Sequence, residues 1–448
     1  MQRRRLPLAA TIALAAAVAV AFSDSSIVVL ALPELYTHFK TTIVGVSWVI
    51  TAYNVVVVVG ALALIPFVGR APRLETAAGL LVFLIGSIGC AVAWSLDALF
   101  AFRCVQGLGA ALLLAGSLAI FGWLKASVRA GTAVWTAAGA VGVAIGPALG
   151  GILTQLFDWR AIFVVQAPVA ALGLVAVLRG HARELPDAHH LRRRTFGANA
   201  ALVCLFGAVV GALFLAVLLI VTVWQFSPFT GALVVSALPL AGYATNRLVP
   251  DVPLGWRALA GAGLLALGLL GLALLPASSA AYAVPALALC GAGFGLAVPP
   301  LTGASVDEAN LGRSATLSVA ARHLGLVLGL VAIAPVLAGT VEDAGDRATV
   351  AATAAVLDAK LPLSKKVPIA LALRDEFDRA QDGEVPDLRR PFAAAGASDD
   401  SAVRAARDEL LTAVRAPLTR SFRPGFVIAA LFAAAAILPV LLFRRRLA

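Results

Sequence analysis

Charged residues are scarce in this sequence. Only 13% of its 448 residues are charged, whereas 61% are hydrophobic. A soluble domain needs a largely polar surface, so this composition excludes an ordinary water-soluble fold. Uncharged runs such as residues 202–223 have the ~20 residues that cross the hydrocarbon core of a bilayer. The sequence therefore predicts an integral membrane protein.

Signatures of catalysis and of metal binding are also missing. The four cysteines fall inside apolar runs, without the spacing of a disulfide framework or a metal site. No nucleophile elbow or phosphate-binding loop occurs. We therefore predict no enzyme activity and no cofactor. The basic residues behind the net charge of +11 lie in short loops between apolar runs, which indicates membrane topology and not a nucleic-acid partner.

Twelve membrane-spanning helices are predicted, so the fold class is an all-α polytopic membrane protein. Backbone groups in lipid must be hydrogen-bonded within their own segment, which leaves helices as the plausible spans. Numbered in chain order, spans 1 to 12 are residues 8–32, 43–67, 74–95, 97–123, 130–155, 160–178, 198–225, 230–247, 257–276, 281–302, 312–339 and 425–443.

The chain divides into two similar halves. Residues 1–180 and 198–448 are expected to form two six-helix bundles, joined by a basic linker at 181–197. The loops after spans 2 and 8 echo each other, with GRAPR at 69–73 and NRLVP at 246–250. Two bundles with a weak internal repeat suit a carrier whose site lies between bundles that rock against each other.

Basic residues are distributed unequally between the two sides of the predicted membrane. The short loops opposite the termini carry only Lys40 and Arg160, whereas those on the side of the termini are rich in arginine. The positive-inside rule then places both termini in the cytoplasm. The predicted location is the inner (plasma) membrane of a bacterial cell.

A long polar segment, residues 341–424, lies on the outer side between spans 11 and 12. Helical patterns at 352–361 and 401–414 predict a small helical extracytoplasmic insert within the second bundle. Asp399 and Asp400 suit the start of the second pattern, because acidic residues favour a helix N-terminus. A loop without regular structure is the alternative.

Asp24 is the one acid that falls well inside a span. An ionisable group in lipid is costly and by default has a function or a partner. Burial favours the neutral form of a carboxyl group and a nearby cation favours the charged form. A carboxylate balanced between the two can load and release a proton as water access alternates. The alternative is a structural ion pair with Arg103 of span 4 that never titrates.

Arg322 in span 11 has no further acid within the spans to neutralise it. A buried arginine stays charged and needs anionic or carbonyl partners. We expect it to face a wet cavity, to hold backbone carbonyls or to meet an anionic group of the substrate. The adjacent His323 could titrate or could be structural. One acid against two arginines favours neutral or anionic substrates over dications.

Other polar and aromatic residues within the spans could line a pocket for an amphipathic ligand. Tryptophan and tyrosine near span ends could equally anchor the membrane interface. The candidates, besides Arg322 and His323, are Tyr53, Asn54, Gln106, Trp135, Gln166 and Gln225.

Span 5 carries Gly142, Gly146 and Gly150 on one face, with Pro147 and Gly151 beside them. Glycines at this spacing permit close contact with a neighbouring helix, and the proline allows a bend. Any tightly packed pair of membrane helices could use such a face.

These motifs jointly resemble the major facilitator superfamily, specifically its drug:proton antiporter-2 branch. The similar segments are DSSIVVLALP at 24–33, RCVQGLGA at 103–110, GPALGG at 146–151 and WRAIF at 159–163. The resemblance extends over nearly the whole chain. It implies an exporter in which Asp24 is the proton site, Arg103 is its partner and the glycine–proline helix serves the conformational change.

The chain departs from that branch in three places. Much of the branch has fourteen helices, whereas here the basic linker leads straight into span 7. The loop between spans 2 and 3 lacks the usual aspartate, so Arg70 and Arg73 remain as candidates for a cytoplasmic gate. Val29 and Gln166 stand where the family pattern has asparagine.

The sequence therefore predicts proton-coupled efflux of small hydrophobic or amphipathic compounds, of drug or natural-product type, by alternating access. The expected partners are a neutral or anionic substrate and membrane lipid, and the expected state is a monomer. One alternative is an exporter of a lipid or cell-envelope component, with the insert guiding the product away. Another is a transporter-like protein that moves nothing.

Overall fold

A computed structural model describes residues 8–182, 185, 191–249, 252–275, 279–358, 362–379, 411 and 415–447. These residues form helices joined by short turns, with no strand among them. Twelve helical segments in this part of the chain are long and apolar enough to cross a membrane. The prediction of an all-α protein with twelve spans is confirmed.

The first six spans lie in helices that alternate in direction. A short helix, α2, lies between spans 1 and 2, so this part of the chain has seven helices, of which six are spans. Their bounds are α1 Leu8–Val29, α2 Leu32–His38, α3 Ile43–Leu64, α4 Pro72–Ala91, α5 Leu96–Leu124, α6 Val128–Leu156 and α7 Arg160–Leu178.

The second six spans are less regular. Span 7 ends in a π-helical turn over Leu218–Val223, and span 8 is divided at Ser236. The bounds are α8 Arg193–Val217, α9 Pro228–Val235, α10 Ala237–Leu248, α11 Leu254–Ala273, α12 Ala280–Ser305, α13 Leu311–Asp358, α14 Leu363–Arg379, α15 Arg423–Ala435 and α16 Ile437–Leu447.

Hydroxyl side chains begin several of the spans. Thr42, Ser95, Ser127, Ser227 and Ser279 each precede a helix and accept a hydrogen bond from a backbone N–H two or three residues later. Such caps satisfy N–H groups that have no partner inside the helix. They fix the residue at which each of these helices begins.

The structure differs from the predicted bounds at three places. Span 1 ends at Val29, and the chain then forms the separate helix α2. Helix α8 begins at Arg193, inside the predicted linker 181–197. Helix α13 does not end near residue 339 but continues to Asp358. The polar insert thus begins as an extension of span 11, whereas most of the predicted helix at 401–414 lies outside the described residues.

The helices pack within each half and across the middle. Helix α4 packs on α5 and α7, and α1 packs on α6. In the second half α11 packs on α12, and α8 packs on α13. The halves meet where α3 packs on α13 and where α6 packs on α9.

Two faces of the molecule are needed to place the site. The face where α1 begins is called the terminal face, and the face where α1 ends is called the opposite face. Near the opposite face, Gly151 of α6 lies against Ala232 of α9. At the terminal face, Gly312 at the start of α13 contacts Val68 after α3. The two halves therefore touch at both ends, and the centre between them is closed.

Candidate functional site

Asp24 and Arg103 form a fully buried ion pair. Nη2 of Arg103 lies 2.6 Å from Oδ2 of Asp24, and both side chains have no exposed surface. Asp24 lies near the end of α1 and Arg103 lies two turns into α5, so both are closer to the opposite face. Because a buried charge is tolerated when it is paired, each of these residues accounts for the presence of the other.

Neutral amides surround the ion pair. Nε2 of Gln166 donates to Oδ1 of Asp24 over 3.1 Å. Arg103 donates through Nη1 to Gln106 over 2.5 Å and through Nε to the carbonyl of Val49 over 2.8 Å. Gln106 in turn donates to Oε1 of Gln166 over 2.6 Å. The carboxylate, the guanidinium and the two amides thus form one network across spans 1, 2, 4 and 6.

Aromatic rings complete the surroundings of Arg103. Its guanidinium carbon lies 4.4 Å from the centroid of the Tyr53 ring and 5.8 Å from that of Phe163. The Tyr53 hydroxyl donates to the carbonyl of Ala21 on α1, over 2.8 Å. Cation–π contacts are strongest where water is excluded, so these rings hold the guanidinium against Asp24.

A second polar chain joins the two halves beside this network. Nδ1 of His323 lies 2.6 Å from Oδ1 of Asn54. Nδ2 of Asn54 donates to the carbonyl of Ile50, and its amide also bonds with the hydroxyl of Ser25. Because Oδ1 of Asn54 accepts, the bond assigns the proton to Nδ1 of His323. Ser25 adjoins Asp24 in the chain, so a hydrogen-bonded path runs from the ion pair's helix to span 11.

Arg322 lies between the halves as well. Its Nη2 donates to Thr302 of α12 over 2.9 Å. Its guanidinium carbon stands 5.6 Å from the Phe22 ring of α1 and 5.7 Å from the Phe206 ring of α8. The residue is thus within reach of both bundles.

The remaining pocket candidates separate into two groups. Trp135 is buried, donates to Ser117 over 3.1 Å and packs edge-on against Phe22. Gln225 is exposed beyond the π-helical turn, in left-handed backbone, and donates to the carbonyl of Thr222. The structure therefore brings the other candidates to the centre, or beside Phe22, but leaves Gln225 at the opposite face.

The glycine face of span 5 packs directly on span 1. A Cβ at Gly142 would collide with the carbonyl of Ala19, and one at Gly150 would collide with the carbonyl of Ile27. Gly146 faces the hydroxyl of Ser26, and the adjoining Pro147 is buried. The helix that carries Asp24 is therefore held at backbone contact with α6 along the half that is nearer the opposite face.

The two candidate gate arginines differ in their contacts. Arg73 is exposed and donates to the carbonyl of Leu178 in the same half. Arg70 lies over the ring of Phe67 and lines a small cleft with Asn310 and Gly312 of the other half. Only Arg70 of this pair therefore stands where the halves meet at the terminal face.

A buried acid lies in the loop between spans 10 and 11, at the terminal face. Asp307 precedes α13, is buried, and lies 3.5 Å from Nε of Arg192. Its Oδ1 also accepts from the backbone N–H of Ala309. Sequence reasoning passed over Asp307 because it lies in a short loop, where acids are common.

A half-buried carboxyl group at the opposite face was also missed. Glu34 of α2 accepts a hydrogen bond from the backbone N–H of Trp159, close to Asp158 and Arg160. Burial and then repulsion from Asp158 raise the pKa of Glu34 to about 7, although the Trp159 N–H and Arg160 act in the other direction. His38 of the same helix packs against the Trp159 ring. The signal that could have identified Glu34 in the sequence is its position directly after the motif at residues 24–33.

The raised pKa of Glu34 predicts a pH-dependent stability. Between the ordinary pKa of a glutamate and about 7, the folded protein binds the proton more tightly than the unfolded chain, so stability falls as pH rises through this window. Thermal unfolding should therefore show a higher Tm at pH 5.5 than at pH 7.5. Glu34→Gln should remove roughly 1–2 °C of that difference, a small effect because the group is half-buried.

The control for this experiment is Glu308→Gln, which alters an exposed acid at the terminal face. It should leave the pH dependence unchanged. An equal pH dependence in wild type and Glu34→Gln would contradict the assignment to Glu34.

Comparison with known proteins matches this geometry to one family. The model of the Major Facilitator Superfamily matches residues 14–334. The chain is 28% identical over 401 residues to the multidrug resistance protein Stp of Mycobacterium tuberculosis, covering 71% of this chain and 73% of that protein. It is 31% identical over 185 residues to the methylenomycin A resistance protein of Streptomyces coelicolor, covering 40% and 38% of the two chains.

Solved structures support the fold. A bacterial homolog of the human lysosomal transporter Spinster, in an inward-facing and unoccupied conformation, aligns with a TM-score of 0.62 at 15% identity, covering 98% of both chains. A D-xylose–proton symporter aligns with a TM-score of 0.58 at 14% identity, covering 73% of this chain and 90% of that one. The chain therefore belongs to the Major Facilitator Superfamily, as its motifs predict, and is a membrane transporter and not an enzyme.

Proposed function

We propose that this protein exports small amphipathic organic compounds in exchange for protons, with Asp24 as the proton-carrying group. The observation that carries the proposal is the closed Asp24–Arg103 pair, a lone carboxylate with an arginine and two amides and no exposed surface. An intramembrane acid is by default functional, and the residue next to it, Ser25, bonds to Asn54, which bonds to His323 of the other bundle. Movement of one bundle against the other can therefore change the access of water to the pair.

In the closed arrangement Asp24 is the counter-ion of the buried Arg103. Protonation would leave the Arg103 charge buried without a counter-ion, which is strongly unfavourable. We infer that Asp24 takes a proton when the opposite face opens and water can reach the pair. Arg103 then keeps two neutral acceptors, the Val49 carbonyl and Oε1 of Gln106. Release of the proton towards the terminal face restores the ion pair.

Cross-half contacts couple this exchange to movement. His323 of span 11 bonds to Asn54, which bonds to Ser25 beside Asp24. A shift of α1 on changing its charge would disturb this bond and favour separation of the halves. The glycine contact with α6 supports the same coupling. Because α1 and α6 are in backbone contact, a shift of α1 either carries α6 with it or slides along its glycine face.

Direction and cargo are proposed from the relatives and from the charge pattern. Proteins named for multidrug and methylenomycin A resistance, and the drug efflux pump JefA, are among those similar to this chain. We propose a monomer in the bacterial plasma membrane with both termini cytoplasmic, so the terminal face is the cytoplasmic one. Asp24 is the one acid that falls well inside a span, against Arg103 and Arg322, and this balance favours neutral or anionic cargo, as expected from the sequence.

A transport assay tests the proposal directly. Proteoliposomes loaded with neutral, anionic or cationic dyes should release the neutral or anionic ones several-fold faster when the outside is made acidic, because inward proton flow drives outward exchange. A protonophore should remove this acceleration, and protein-free liposomes give the leak. Release that does not respond to the gradient for any dye would contradict proton-coupled export.

A further inference from the structure

Arg322 is a buried cation that the proton-coupling network does not use. It is 9% exposed, and its Nε has no hydrogen-bond partner. Its one hydrogen bond to a side chain is the neutral contact with Thr302. No acidic side chain forms an ion pair with it in the part of the chain that the structure describes. A charge in this position is expected to have an anionic partner at some point in the cycle.

The other groups near Arg322 cannot neutralise it. Asp24 is already paired with Arg103. His323 is adjacent in the chain, but its ring bonds to Asn54. Phe22 and Phe206 offer only ring faces at 5.6 and 5.7 Å, which weakly stabilise the cation and do not match the hydrogen bonds of a carboxylate.

A second unpartnered polar side chain lies at the same level. Asn199 of α8 is 5% exposed, and neither its amide nitrogen nor its amide oxygen has a partner. The packing of α8 on α13 places Gly325 against Val203 and Gly329 against Gly207. By that register Asn199, one turn before Val203, lies level with Ala321 and Arg322. A buried amide without partners is rare and calls for an explanation.

Apolar rings extend from this position in both directions. Phe206 packs edge-on against Phe294 at 5.4 Å, and Phe22 packs edge-on against Trp135 at 5.2 Å. Phe22 and Trp135 belong to the first half, and Phe206 and Phe294 belong to the second. Each half therefore contributes one ring pair beside Arg322, whose guanidinium carbon lies near Phe22 of the first half and Phe206 of the second.

We propose that Arg322, with Asn199 and Thr302, binds the carboxylate of an aromatic organic acid whose ring lies among Phe22, Phe206, Phe294 and Trp135. The planar guanidinium matches a carboxylate through two parallel hydrogen bonds, and the free Nε leaves one side of that fork available. This inference names the substrate class of the proposed exporter and rests on that function in placing Arg322 on the transport path.

Binding can be measured without a proton gradient, in lipid nanodiscs. The probes are 1-pyrenebutyrate and its amide, which share an aromatic body and differ in charge. Wild type should bind the acid at least about tenfold more tightly than the amide, as expected for a hydrogen-bonded charged group. Arg322→Gln should remove this preference and leave amide binding within about twofold, and Arg322→Lys should retain part of it.

Arg257→Gln is the matched control, because Arg257 is also buried in the second half and also bonds to a neutral side chain, that of Asn246, but lies in the first turn of α11 near the terminal face. It should keep the full preference for the acid. Arg322→Gln should not lower the Tm of the ligand-free protein, whereas a purely structural arginine would. Equal binding of acid and amide by wild type, no binding of the acid, or an unchanged preference in Arg322→Gln would each overturn the proposal.

These outcomes are separate from the test of proton coupling. If dye release ignores the pH gradient but the Arg322-dependent preference holds, proton exchange fails and the anion site stands. If release follows the gradient and the preference is absent, the proposed exporter stands and its substrate class does not.

Discussion

An Asp24→Asn protein is expected to lose gradient-driven transport while still binding its substrate. Asparagine cannot exchange a proton, so the carrier has no means of taking energy from the gradient. It also leaves Arg103 buried without a counter-ion, at a cost in stability of about 3–5 kcal/mol, equivalent to a factor of roughly 10²–10⁴ in the folding equilibrium constant. Dye release from acid-jumped proteoliposomes should fall to the level of protein-free vesicles, and its pH dependence should vanish.

Two further variants separate chemistry from stability. Asp97→Asn makes the same change at an exposed acid in the first turn of α5 and should transport normally. Asp24→Asn with Arg103→Gln removes both charges and should recover much of the lost Tm without recovering transport. Wild-type rates and pH dependence in Asp24→Asn would refute Asp24 as the proton site.

The ion pair is the part of the site that sequence reasoning reached most fully. Asp24 and Arg103 each stand out as a charge in an otherwise apolar run, and the cost of burial requires a partner for each. Gln106 and Gln166 were named as pocket residues, but in the structure they bond to the ion pair. An amide within a span signals a polar environment, and its partner depends on how the helices pack.

Contacts between the halves could not be read from the sequence. The bond from His323 to Asn54 joins residues 269 positions apart, and nothing local to either residue encodes the angle between two bundles. Asn199 was overlooked for a related reason. It lies near the start of α8, where a polar residue would ordinarily be solvated, and its burial depends on how the neighbouring helices pack on α8.

Helix α13 illustrates a different limit. The apolar run of a span ends near the membrane boundary, so hydropathy predicts where the span ends and not where the helix ends. Backbone hydrogen bonds continue through the polar residues to Asp358, giving 48 residues and a helix of about 72 Å at 1.5 Å per residue. The insert is consequently attached to span 11 by a continuous helix and would be expected to follow its movement.

The second large effect is expected at the contact between α6 and α1. Gly142→Leu should abolish transport and lower the Tm by several degrees, because its Cβ would collide with the backbone carbonyl of Ala19. A backbone atom cannot rotate away, so the helices must separate, and overpacking of this kind typically costs about 1–3 kcal/mol or more. The same argument applies to Gly150→Leu, which meets the carbonyl of Ile27.

Alanine substitutions give a graded test of that contact. Gly142→Ala should still impair transport, whereas Gly146→Ala should be milder because the atom it meets, the Ser26 hydroxyl, is the end of a side chain that can turn. Gly263→Ala in α11, with nothing within 4 Å, should be neutral or stabilising by about 0.5–1 kcal/mol through helix propensity. The measurements are Tm and acid-driven dye release in the same preparations. If Gly142→Ala and Gly263→Ala behaved alike, close packing of α6 on the Asp24 helix would not be the role of the glycine face. Coupling of proton exchange to movement would then have to pass through the His323–Asn54 bond.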